Sequence, residues 1–83
     1  MDKSEESAGG TQAIRRAAAV LRAIGKAGPE GVSLAEVARD CSLARSTAHR
    51  ILRCLVEERL ANEPGQDKRY RMGELLHELS LAP

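Results

Sequence analysis

The chain has 83 residues, 42% of them apolar and 30% charged, with a formal charge of +1, which describes one small domain without room for two independent cores. No apolar run approaches the ~18 residues of a membrane-spanning helix, and the acidic opening Asp2 to Glu6 lacks the order of a signal peptide, so the expected setting is cytoplasmic, with no membrane partner. A domain this small buries only roughly 60% of its unfolded surface, which argues against an ordinary enzyme and for helix packing or dimerisation. With no Phe, no Trp and the single Tyr70, the core has to be aliphatic. Cys41 and Cys54 form no CxxC pair, and no His stands near them at zinc-finger spacing, so both read as small reduced fillers and neither a metal nor a cofactor is expected.

Residues 1–10 set Lys3 against Asp2, Glu5 and Glu6, a net −2, and the remainder therefore carries +3 under the whole-chain +1. This polar opening ends in Ala8-Gly9-Gly10 and reads as a disordered acidic tail, because it has too little apolar surface to offset the entropy of ordering. From Thr11, Ile14, Ala17, Ala18, Leu21 and Ile24 recur at helical spacing until Gly25 and Gly28-Pro29 close the segment. Ser33 and Glu36 match the S-x-x-E capping box and open a second, short helix whose apolar side is Leu34, Val37 and Ala38. Cys41-Ser42-Leu43 separates it from a third helix, about 44–58, with Ala48, Ile51, Leu52 and Leu55 on one stripe.

Leu60 to Glu63 then reads as a short strand, Pro64-Gly65 as a turn, and Arg69-Tyr70-Arg71-Met72 as the returning strand of a β-hairpin, with Tyr70 toward the core. Gly73 ends it, and 74–83 forms a last helix with Leu75, Leu76 and Leu79 on one side and His77 at the surface. The expected architecture is mainly α with a small β-hairpin, a winged helix-turn-helix over 11–73 with a three-helix core, a β-wing at 64–71 and a short C-terminal linker helix.

The third helix carries the chemistry. Between 43 and 56 its only charged residues are Arg45, Arg50 and Arg53, and its polar side is completed by Ser46, Thr47 and His49, all hydrogen-bond donors. Such a helix fits a DNA major groove about 12 Å wide, and no carboxylate stands among these outward and N-terminal positions to repel the phosphates. On this reading Arg45, Thr47 and His49 meet base edges, Ser46, Arg50 and Arg53 hold phosphates, and Lys68, Arg69 and Arg71 on the wing grip the neighbouring backbone. Ser46, His49 and Asp40 also suggest a hydrolytic triad on paper, but nothing at this size supplies a pocket or an oxyanion donor, so no catalytic residue is assigned.

The stretch SLAEVARDCSLARSTAHRILRCL followed by RYRMG resembles the N-terminal winged helix-turn-helix domain of the IclR family of bacterial transcription regulators, over roughly residues 11 to 82. Its most specific parts are Leu43-Ala44-Arg45-Ser46-Thr47, His49-Arg50 and Tyr70-Arg71-Met72-Gly73. The resemblance implies a sequence-specific repressor or activator domain bound to double-stranded operator DNA. It also implies a homodimer joined in part by helix one, and a last helix leading to an effector-binding domain outside this chain. Any small-molecule effector would act through that domain. A dimer favours a palindromic operator with half-sites about 34 Å apart or a multiple of that. Family members usually have Gly where this chain has Ser42 and Arg59, and often Pro at position 44. A left-handed Ser42 would store roughly 1 kcal/mol. The alternative is a winged-helix module that binds protein through its apolar last helix.

Overall fold

The computed structural model describes residues 3–81, with side chains from residue 10 onward. In chain order the elements are α1 (Lys3–Ala27), a 3-10 turn (Gly28–Glu30), β1 (Val32–Ser33), α2 (Leu34–Asp40), α3 (Arg45–Glu57), β2 (Arg69–Tyr70) and α4 (Glu74–Ser80). The three longer-range helix partners α1, α2 and α3 pack on one another, and a two-stranded antiparallel sheet closes one side. This is the expected winged helix-turn-helix class.

The core is aliphatic, as the composition requires. Val20, Ile24, Val37 and Leu52 are its largest fully buried side chains, and Val32, Ala38, Ala48, Leu55, Ala61 and Tyr70 complete it. Burying a Val, Leu or Ile side chain stabilises by roughly 1.5–3 kcal/mol, so these few residues carry most of the favourable energy. Tyr70 lies on the core side, while Met72, two positions on, is 43% exposed.

Helix α1 departs from expectation in two ways. Its backbone is helical from Lys3, so of the segment expected as a tail, residues 1 and 2 lie outside the described residues and the rest begins the helix. Poor burial argues against a packed segment, but a helix needs only local backbone bonds, and no proline interrupts this stretch. The buried stripe is also shifted: Val20 and Ile24 are fully buried, whereas Ile14 is 71% exposed. Among the α1 residues whose side chains are described, full burial is confined to Val20 and Ile24, and residues 12–16 are exposed.

Helix α2 starts at the capping box that the sequence indicates. The Glu36 amide donates to Ser33 Oγ at 3.2 Å, and the Ser33 amide donates to Glu36 Oε1 at 2.9 Å. The helix ends in a Schellman arrangement: the Leu43 amide donates to Ala38 O at 2.9 Å, the Ser42 amide to Arg39 O at 3.3 Å, and Ser42 takes the left-handed conformation at φ 55°. The same device ends α3, where Leu60 N–H donates to Leu55 O at 2.8 Å and Arg59 sits at φ 64°. Both left-handed residues occupy the positions where the family resemblance leads one to expect glycine.

The sheet is the element least like its expectation. β2 pairs with β1, Val32 opposite Tyr70 and Ser33 opposite Arg69, and β1 is a strand that the helical pattern around Ser33 concealed. The segment 60–62 joins further along the same returning strand, through the isolated Ala61–Met72 bridge and the bonds Asn62 N–H to Arg71 O at 2.9 Å and Gly73 N–H to Leu60 O at 3.0 Å. The returning strand thus exchanges one partner for another between Tyr70 and Arg71. Gly73 is wedged there: a Cβ on it would fall 2.3 Å from Arg59 O and 2.8 Å from Ala61 N, both backbone atoms. α4 is then anchored by Leu75 N–H to Arg59 O at 3.0 Å and by Arg59 Nη2 donating to Glu78 Oε2 at 2.6 Å.

Two stability predictions result, each read by urea unfolding. Ser42→Gly raises stability by up to about 1 kcal/mol and Ser42→Val lowers it, because glycine alone is unstrained at positive φ and a β-branched residue fits worst; equal stabilities for the two would contradict the strained turn. Gly73→Ala costs about 2–3 kcal/mol, since fixed backbone atoms rather than a flexible side chain must give way, and a change below about 0.5 kcal/mol would be at odds with the wedge.

Candidate nucleic-acid interface

Rotation of α3 is set by burial of Ala48, Leu52 and Leu55, and everything on its far side is thereby presented outward. Arg45, Ser46, His49 and Arg50 are exposed, while Thr47 and Arg53 are half-buried. At about 100° per residue, Arg45 and Arg50 are about 140° apart around the axis, with Ser46, His49 and Arg53 between them. The two arginines flank one polar face. No acidic residue occurs in the first turn, and the carboxylates Glu57 and Glu58 appear only at the far end.

The beginning of α3 adds a feature that the side chains do not reveal. Its N-cap is Ala44, in an extended conformation with no side-chain cap, so the first amides of the helix have no side-chain acceptor from that residue. Amides of this kind at a helix start, together with the positive end of the dipole, favour an anion. The signal in the sequence was the apolar residue at a position where Ser, Thr, Asp or Asn is the usual choice.

The arginines and lysine chosen from the sequence fall into two groups. Arg45, Arg50 and Lys68 have no ion-pair partner among the described residues, and Lys68 stands exposed in the turn closed by its own amide donating to Gly65 O at 3.0 Å. The other three are engaged with protein. Arg53 Nη1 donates to Glu63 Oε2 at 2.8 Å. Arg69 Nη1 donates to Gly31 O at 3.0 Å and to Glu36 Oε1 at 3.1 Å. Arg71 Nε donates to Pro29 O at 2.7 Å, and its Nη2 donates to Glu30 O at 3.1 Å and to Asp67 Oδ2 at 2.7 Å.

Arg69 and Arg71, expected on the DNA-facing side of the wing, therefore tie the returning strand to the loop that follows α1. The carbonyls of Pro29, Glu30 and Gly31 are the acceptors, and they lie about forty positions earlier in the chain, beyond the reach of any local pattern. Asp67 completes the latch: the Arg71 hydrogen bond, with help from the Arg69 amide, holds its carboxyl below the ordinary 3.8. Glu36 is likewise held below the ordinary 4.5, first by the Ser33 amide.

Ser46 and His49 are exposed on α3 and do not border the groove between α1 and α2. The one described depression, a groove of about 910 Å³ between α1 and α2, is bordered by Arg22, Lys26 and Arg39 against Glu36, Asp40 and Asp67, so its charges balance. Asp40 borders that groove and accepts from Arg39 Nε at 3.2 Å, apart from Ser46 and His49, and the triad has no geometric basis. Among the described residues no group of three His, Cys, Asp or Glu is placed to hold a metal ion. The same residues contain no helix long and apolar enough to cross a membrane. Cys54 is exposed on α3 rather than a filler, whereas Cys41 is half-buried and burial pushes its thiol up.

Comparison with known proteins agrees with this geometry. The family model described as the IclR helix-turn-helix domain matches residues 13–64. The chain is 43% identical over 82 residues to the HTH-type transcriptional regulator TtgV of Pseudomonas putida, a match covering 95% of this chain and 31% of that protein. It is 40% identical over 72 residues to the HTH-type transcriptional regulator Rv1719 of Mycobacterium tuberculosis, with 87% and 27% covered. Over 66 residues it is 39% identical to the glycerol operon regulatory protein of Streptomyces coelicolor, with 78% and 26% covered. Among solved structures, an IclR homologue from Microbacterium sp. superposes with a TM-score of 0.69 at 28% identity, covering 83% of this chain and 28% of that one. The chain thus spans less than a third of the length of these relatives. With the family model matching most of its residues, and with α2, turn and α3 in place, the chain belongs to the IclR helix-turn-helix family.

Proposed function

We propose that this domain reads operator DNA for a transcriptional regulator, with α3 seated in the major groove. The observation that carries the reading is the outward face of α3, where Arg45, Ser46, His49 and Arg50 stand exposed and no carboxylate appears in the first turn. Arg45, Thr47 and His49 reach base edges; Ser46, Arg50 and the open amides at Ala44 hold phosphates. Lys68 alone represents the wing on the neighbouring backbone, while Arg69 and Arg71 hold the wing in place. No step of this function is catalytic.

The exposed stretch 12–16 of α1, with Ile14 71% exposed, supports a homodimer joined through that helix. Two copies of α3 then meet half-sites about 34 Å apart or a multiple of that, which favours a palindrome. α4 leads toward an effector-binding domain, through which a small molecule would act.

A protein-binding module remains the second reading, favoured by Leu79 and Leu81, which are 58% and 70% exposed on and just after α4. Titration of labelled duplex at several salt concentrations separates the two. DNA reading predicts salt-dependent binding in which Arg45→Ala costs about 1–3 kcal/mol and relaxes preference at one base pair. Arg50→Ala weakens all sequences alike and lowers the salt slope by about 0.9 per domain. Absence of any salt-dependent binding at low ionic strength would favour the protein-binding reading, and unchanged affinity in both variants would remove α3 from the interface.

A further inference from the structure

Arg53 projects from the same side of α3 as Ser46, His49 and Arg50, yet its guanidinium is held by Glu63 at 2.8 Å across the turn that leads into the wing. Both side chains are open to solvent, Arg53 at 39% and Glu63 at 66%. An exposed pair of this kind adds little to folding stability, because solvent screens it and two long side chains must be held still. Glu63 is therefore not needed to hold the fold, and its carboxylate stands beside the face that a polyanion would approach.

We infer that Glu63 is a specificity-determining residue that competes with DNA phosphate for Arg53. The inference rests on the DNA-binding reading above. A cation already neutralised by a carboxylate displaces no counterion when DNA approaches, so it adds nothing to the salt-dependent affinity until the carboxylate is pushed aside. In a loosely fitted complex on arbitrary sequence, a phosphate comes within reach of Arg53 but is held too loosely to displace Glu63. In the tightly fitted complex on the right site, the phosphate is held firmly enough to take Arg53 over. Glu63 thus suppresses binding to arbitrary DNA more than binding to the operator, which widens the gap between the two.

The test is a set of four proteins, the wild type, Glu63→Gln, Arg53→Ala and the double variant, titrated by fluorescence anisotropy against random-sequence duplex and against a site selected from a randomised pool. One additional phosphate contact steepens the slope of log affinity against log salt by about 0.9, which corresponds to about eightfold at 0.1 M when referred to 1 M. Glu63→Gln is expected to bind random duplex about eightfold more tightly at 0.1 M salt, with a smaller gain on the selected site and with no gain in the Arg53→Ala background. A gain that persists without Arg53 would mean that Glu63 acts only by diffuse charge and would overturn the inference. So would an unchanged affinity in Glu63→Gln while the wild type binds DNA. Failure of the wild type to bind any duplex overturns the parent reading instead, and this inference with it.

Discussion

Burial of Ala48, Leu52 and Leu55 fixes α3 against α1 and α2, and the identity of every outward side chain on that helix depends on this one rotation. A slip of one residue turns the helix by about 100° and would carry the Arg45-to-Arg50 face into the bundle. Two features guard against it. The left-handed turn at Ser42 sets the angle at which α3 leaves α2, and Leu43, packed against the core just before α3, anchors its beginning. Strain at Ser42 is tolerated because the Leu43 and Ser42 amides are both bonded to α2 carbonyls.

Positive charge in this domain is divided by task. Arg69 and Arg71 are joined to carbonyls of the 28–31 turn and to Glu36 and Asp67, which holds the returning strand beside β1. Arg59 does the same for α4 through Glu78 and Glu74. Of the cations on α3 and the wing, these contacts leave Arg45, Arg50 and Lys68 without an ion-pair partner among the described residues, and all three lie outside the charge-balanced groove between α1 and α2. A small domain whose one aromatic side chain is Tyr70 adds arginine–carbonyl bonds to what packing does, because the planar guanidinium can satisfy several acceptors at once.

Local features were legible in the sequence and long-range ones were not. Ser33 and Glu36 announced the start of α2, and the stripe from Ala48 to Leu55 announced α3, because capping and periodicity act within a few residues. β1 escaped notice because it is two residues long and pairs with a strand nearly forty positions away. The roles of Arg69 and Arg71 escaped for the same reason, since alternation in a strand reports which side a residue faces and not what awaits it there. In α1 the helix itself was legible, but several apolar registers fit its alanine-rich sequence, and only the packing of α2 and α3 selects Val20 and Ile24 over Ile14.

The central claim is that the polar flank of α3 is the surface that meets DNA. Chemical-shift mapping of the labelled domain during titration with a selected duplex tests it most directly. The account predicts that the largest backbone shifts cluster from Ala44 to Arg50 and at Lys68, with the groove residues Arg22, Lys26 and Arg39 nearly unmoved. Shifts centred on that groove, with α3 silent, would contradict it.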